Sequence, residues 1–181
     1  MAFRQWESHG TGDVDRARFS RLGTNVIFED GVKVFAAETI EIGDNVYIGH
    51  NTQIKGHPAG KMKIGNNCWI GPNCFIQSPG NIEIGSHVGI GAGVIIITSQ
   101  HDLGSKEEII INKPLKFERV LIEDNVDIGA GALILLGVKI GRGSMIGAGS
   151  VVTKDVPPDM VVVGNPARVL RTLPKETGRN E

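Results

Sequence analysis

The sequence is short of three things, and each shortage removes a class of explanation. It holds two cysteines, Cys68 and Cys74, in 181 residues, which is too few for a disulfide framework and lacks a metal-site spacing. Both fall at inward positions of the pattern described below, where a thiol is buried and inert. It has no excess of either charge: 19 lysines and arginines stand against 20 acids, a formal charge of -1. That balance gives no bulk attraction to nucleic acid or to an anionic membrane, so an anionic ligand needs a local site. It also has no long apolar run. Residues 1–21 are polar and charged, unlike a signal peptide, and nothing later approaches the ~20 apolar residues of a membrane span. The expectation is a cytoplasmic protein of one domain, whose 40% hydrophobic content suffices for a real core.

What the chain has in excess is glycine, 25 residues, set out with a period of six. Aliphatic or aromatic residues open each hexad: Leu22, Phe28, Val34, then Ile42, Ile48, Ile54, and onward through Ile84, Ile90, Ile96 to Ile140, Ile146 and Val152. Two positions before nearly every one stands a further small or apolar residue, such as Val46, Thr52, Cys68, Cys74 or Ser150. Alternation at two marks a short strand with one buried face. Between strands lie Asp44-Asn45, Asn66-Asn67, Asp124-Asn125, Ala130-Gly131 and Ala148-Gly149, whose second residue is the type that accepts positive φ most cheaply. A strand too short to fold alone, turned every six residues, predicts triangular coils of eighteen residues stacked about 4.8 Å apart.

The spacing carries an internal check. The register slips only at every third hexad, where Val34 to Ile42, Ile54 to Ile64, Ile76 to Ile84 and Ile96 to Ile122 leave 2, 4, 2 and 20 residues beyond the repeat. All four insertions therefore leave the prism at one corner, and insertions on one face are where solenoids place binding. The prediction is a polar segment over 1–21, a β-helix over 22–165 with a protruding loop at 97–119, and a C-terminal segment over 166–181.

Residues 122–171, with IGAGAL, GVKIGRGSMIGAGSVVTKDVP and VVVGNPARVLR, resemble the C-terminal half of the hexapeptide-repeat acetyltransferases, in the branch of the galactoside, maltose, xenobiotic and polysaccharide O-acetyltransferases. The resemblance implies an all-β, left-handed parallel β-helix of about six coils. It implies a homotrimer with acetyl-CoA lying between neighbouring prisms, and direct transfer to a hydroxyl or amine of a small acceptor such as a sugar, with no metal. It assigns the general base to His101, in TSQHDLG. Ala130 and Ala148 match the backbone that holds the pantetheine arm, Thr153 and Lys154 the end that meets the phosphates, and Arg168 and Arg171 residues near the nucleotide. Many members have Trp where this chain has Asp127, and the N-terminal helical extension of the maltose and galactoside enzymes has no counterpart.

Acetyl transfer from a thioester needs the acceptor's proton removed during attack, which a neutral imidazole does near pH 7. The second imidazole nitrogen needs a holder, for which Asp102 and Glu107 are candidates. Register places Gln77 and Ser78 beneath the root of the loop, where with Asp102 they could orient an acceptor, and Lys55 and His57 one coil lower. Two other functions fit the fold: a non-catalytic trimeric scaffold, and a zinc enzyme like the γ-type carbonic anhydrases. The latter needs three converging histidines with a pair five apart, whereas His50 and His57 are seven apart.

Overall fold

The computed structural model describes residues 12–102, 104 and 109–174. Among them, three sheets of six, eight and six strands form the walls of a triangular prism. In the first wall Leu22, Ile42, Ile64, Ile84, Ile122 and Ile140 stack in register. In the second stand Phe28, Ile48, Ile70, Ile90, Ile128 and Ile146. In the third stand Val34, Ile54, Ile76, Ile96, Ile134 and Val152. These are the hexad positions of the sequence, in the register its insertions require. The fold is a left-handed parallel β-helix of six coils, with Val161 and Val162 pairing above Met145 and Ile146 to begin a seventh.

The alternation explains the core. From Val34 upward each of these hexad residues is buried, as are the residues two before them. Where the inward residue is polar, it ties one coil to the next. Thr52 Oγ donates to the Gly71 carbonyl at 2.8 Å, and Ser144 Oγ donates to the Pro157 carbonyl at 2.8 Å. Both cysteines are buried, and burial pushes each thiol above its ordinary value, away from nucleophilic use. The turns follow suit, with Asn45, Asn67 and Asn125 at φ 55, 55 and 59. The amides also stack from coil to coil, Asn25 donating to Asn45 and Asn45 to Asn67 at 2.7 and 2.9 Å.

The start of the prism is covered by what precedes the first coil. Phe19 packs 5.6 Å from the Phe28 ring, the Arg16 guanidinium lies 5.2 Å over the same ring, and Val34 N–H donates to the Gly12 carbonyl. The three walls differ outside. The first carries Glu41, Lys63 and Glu83, with Lys63 3.6 Å from Glu41 and Arg119 paired to Glu83. The second carries Ile27, Tyr47 and Trp69, the last two stacked at 5.9 Å. The third carries Phe75, Ile95, Leu133 and Val151 in one row.

Candidate functional site

The longest insertion leaves the corner between the third and first walls as a hairpin. Ser99–His101 runs antiparallel to Leu115–Phe117, with Ser99 opposite Phe117 and His101 opposite Leu115. Its root is fastened by Thr98, which is fully buried. Thr98 Oγ donates to the Gln77 carbonyl at 3.0 Å and accepts from Gly80 N–H at 2.9 Å, while its carbonyl accepts from Glu118 N–H at 3.1 Å. A Cβ on Gly80 would lie 2.6 Å from the Glu118 backbone and the Thr98 carbonyl. Only glycine lets the corner of the coil below pass this close under the hairpin.

His101 is half-buried, and its Nδ1 lies 3.3 Å from the Lys113 carbonyl. A carbonyl only accepts, so this contact calls for a proton on Nδ1, and in the neutral ring Nε2 then holds the lone pair that a base needs. The holder is thus main chain. Of the two side chains expected in that role, Asp102 turns elsewhere: its Oδ1 accepts from Gly104 N–H at 3.3 Å, and its N–H donates to the Pro114 carbonyl at 2.9 Å. Glu107 lies outside the described residues. Lys113 gave no signal in the sequence, because the hairpin has no repeat from which to read a register. His57 shows the opposite arrangement. Its Nδ1 accepts from Ala59 N–H at 3.0 Å, which puts its proton on Nε2, and its ring lies 6.0 Å from that of Phe117.

The residues placed beneath the hairpin divide by the same alternation that builds the walls. Ile76 points inward and Gln77 outward, half-buried beside Lys55 and Ile97 in the third wall. Ser78 points inward again and is fully buried, its Oγ donating to the Lys55 carbonyl at 3.4 Å. The expectation that the Ser78 side chain faces a ligand is corrected on this ground. Asp102 is exposed beside His101, and Lys55 Nζ lies 5.8 Å over the Phe35 ring.

The corner between the second and third walls is built from small residues. Gly93, Gly131 and Gly149 follow Ala92, Ala130 and Ala148 coil above coil, joined by Gly131 N–H to the Ala92 carbonyl at 2.8 Å and Gly149 N–H to the Ala130 carbonyl at 2.9 Å. Where a Cβ would stand on any of these glycines there is nothing within 4 Å, so the corner is a smooth edge open to a long ligand. Past the last strand of the third wall, Val151–Val152, Thr153 is exposed, and Lys154 and Arg168 line one recess of about 230 Å³ with Val152, Asp155 and Val162. Arg171 is exposed on the same closing strand, Arg168–Thr172, opposite Val161. Asp127 faces outward on the second wall, its Oδ1 3.0 Å from where a Cβ of Gly89 would stand. Among the described residues no group of three or more His, Cys, Asp or Glu is arranged to hold a metal, and no helix is long and apolar enough to cross a membrane.

Fold and site together define a left-handed β-helix with a histidine-bearing hairpin at one corner and a small-residue edge at another. Residues 61–97 and 119–154 match the hexapeptide repeat of succinyl-transferase. A putative acetyltransferase of Schizosaccharomyces pombe is 45% identical over 96 residues, covering 52% of this chain and 45% of that protein. The galactoside O-acetyltransferase of Lactococcus lactis is 36% identical over 137 residues, covering 74% and 63%. The matches thus span about half to two thirds of those relatives' own lengths. Among solved structures, the hexapeptide-repeat acetyltransferase of Vibrio cholerae O1 biovar eltor, complexed with acetyl coenzyme A, superposes with a TM-score of 0.67 at 30% identity, covering 88% of this chain and 74% of that one. An N-acyltransferase of Bacillus cereus shares the fold, with a TM-score of 0.78 at 24% identity over 88% and 87%. The chain belongs to the hexapeptide-repeat acetyltransferase family.

Proposed function

We propose that the protein transfers the acetyl group of acetyl-CoA to a hydroxyl or amine of a small acceptor, a sugar or sugar nucleotide first among them, with His101 as general base. The observation that carries this reading is the 3.3 Å approach of His101 Nδ1 to the Lys113 carbonyl, an acceptor that calls for a proton on Nδ1 and leaves Nε2 of the neutral ring as the lone pair. Support for the donor comes from the relative from Vibrio cholerae, whose structure is a complex with acetyl coenzyme A, and from the small-residue edge, which fits an extended arm. Ala130 and Ala148 would line the pantetheine, Thr153 and Lys154 would meet the phosphates, and Arg168 and Arg171 would sit near the nucleotide, where Lys and Arg suit phosphate oxygens. Gln77 and Asp102 would orient the acceptor.

In the step itself, Nε2 of His101 takes the acceptor's proton as its oxygen or nitrogen bonds to the thioester carbonyl carbon. The C–S bond then breaks, and the imidazolium returns the proton to the departing sulfur, giving the acetylated acceptor and free CoA thiol. No acyl-enzyme is needed, which suits two cysteines that are buried with raised pKa values.

The active form is a homotrimer with sites between subunits. Supporting this are the apolar row of Phe75, Ile95, Leu133 and Val151 and the exposed hairpin isoleucines Ile109, Ile110 and Ile111, apolar surface that a neighbouring copy would cover. The test is thiol release from acetyl-CoA across a panel of sugars, amino sugars and sugar nucleotides, with sedimentation of the same sample. Release that requires an acceptor, from a trimer, is expected. A folded protein that releases no thiol with any hydroxyl or amine overturns the enzyme reading, and a stable monomer at micromolar concentration overturns the assembly.

A further inference from the structure

We propose that Lys113 is the positioning residue of His101: its carbonyl holds the imidazole, and its buried side chain holds that carbonyl in place. The inference rests on reading His101 as the base, and it begins from an inversion within the hairpin. Ile109, Ile110, Ile111, Leu115 and Phe117 are 40 to 50% exposed, whereas Lys113, in their midst, is 7% exposed. Lysine is ordinarily the last residue to be buried and isoleucine among the first. An ammonium taken from water is tolerated only where the surroundings compensate it, so a folded hairpin with this lysine inside holds it in one place.

The backbone on both sides of the carbonyl is equally fixed. Lys113 N–H donates to the Ile110 carbonyl at 3.2 Å, closing the short helical turn Ile110–Asn112. The next carbonyl, that of Pro114, accepts from Asp102 N–H at 2.9 Å, directly beside His101. The bond from His101 Nδ1 to the Lys113 carbonyl is long, at 3.3 Å, near the outer limit for N–H···O. A displacement of a few tenths of an ångström therefore decides whether it exists. Without it the imidazole proton is free to sit on either nitrogen, and the fraction of molecules with a basic Nε2 falls. The side chain that anchors residue 113 thus sets the tautomer of residue 101.

The test compares Lys113→Met and Lys113→Ala with Lys113→Arg, which keeps a long cation, and with Lys116→Met, which removes an exposed lysine of the same hairpin. Readouts are the imidazole nitrogen shifts of His101 by NMR, kcat, KM for acetyl-CoA and the melting of the prism. Lys113→Met and Lys113→Ala are expected to leave melting and KM near wild type and to move the His101 nitrogens from one tautomer to a mixture. They should lower kcat by about 10- to 100-fold, the range seen when groups that orient a functional imidazole are removed. Lys113→Arg should restore much of both, and Lys116→Met should change neither. Unchanged His101 shifts in both Met and Ala variants overturn the proposal, whatever happens to kcat. If the wild-type protein transfers acetyl to no acceptor, the enzymatic reading falls while the nitrogen shifts still decide the positioning role.

Discussion

The prism and the hairpin that leaves it are held together by opposite means. In the prism, inward isoleucines such as Ile48, Ile70 and Ile90 are completely buried, and the outward faces carry charged side chains such as Glu41 and Lys63 beside apolar ones such as Trp69 and Ile95. In the hairpin, all three residues of Leu115–Phe117 are exposed, and Lys113 is buried among the described residues around it. The prism therefore carries its own stability, since each coil completes the burial of the one below. The hairpin leaves its apolar side chains uncovered, with one histidine oriented at its root. A structure divided in this way can vary the hairpin while the scaffold stays as it is.

Three substitutions would break that division if it is wrong. The largest effect is expected at His101, where His101→Ala should slow acetyl transfer by about 10² to 10⁴ while melting and acetyl-CoA binding stay near wild type. Retention of more than about a third of the wild-type rate, well short of the loss expected of a base, would remove His101 from that role. Next comes the prism: Ile90→Ala empties a fully buried position and should cost about 2 to 5 kcal/mol in reversible denaturation. A smaller effect belongs to the hairpin, where Ile110→Ser changes a side chain that is 50% exposed and should alter the stability of a single chain by less than about 0.5 kcal/mol. Its expected consequence is weaker self-association, read by sedimentation. Equal losses of stability from Ile90→Ala and Ile110→Ser would mean that the two regions fold as one.

How legible each region was in the sequence follows from the same division. The period of six made Leu22 through Val152 readable, and the insertions of 2, 4, 2 and 20 residues located the corner from spacing alone. Glycine, asparagine and isoleucine carried that signal because backbone geometry requires them at fixed places. The alternation was equally available for Ser78, whose inward position two residues after Ile76 follows from the rule that buried Ile54 and Ile76. It was lost because a serine at a corner reads as solvent-facing. Lys113 and the carbonyl that holds His101 were not legible, since neither is tied to a repeat and a main-chain acceptor has no residue type. Resemblance supplied Lys154 and Arg168, and the recess they share could not have been read from their separation of fourteen residues.

The smallest expected effects separate the two regions by pH. In the prism, Asp44 is held below its ordinary value of 3.8, first by the Thr24 backbone N–H and then by the Thr24 hydroxyl. Glu123 is held below 4.5, first by the Lys139 side chain and then by the Arg142 N–H. A carboxylate whose folded pKa is depressed contributes stability that is complete above its unfolded pKa and is lost as pH falls through the folded one. Acid should therefore loosen the prism, below about pH 4. In the hairpin the titrating group is a cation: Lys116 is pushed above 10.5, first by its hydrogen bond to Glu118, 2.6 Å away, and then by that carboxylate's charge. The sign reverses, because a raised lysine contributes stability that is complete below its unfolded pKa and is lost as pH rises through the folded one. Alkali above about pH 10.5 should thus loosen the hairpin first. Asp44 and Lys116 are exposed and Glu123 is half-buried at the surface, so solvent and salt keep the effects small, and local probes are needed to see them. Amide signals of Gln100 and Lys116, followed from pH 9 to 11.5 alongside those of Ile48 and Ile90, would show the hairpin moving while the prism holds. Lys116→Met should abolish that alkaline step and leave the acid limb of the melting curve unchanged, and an alkaline transition that persists in this variant would assign it to another group.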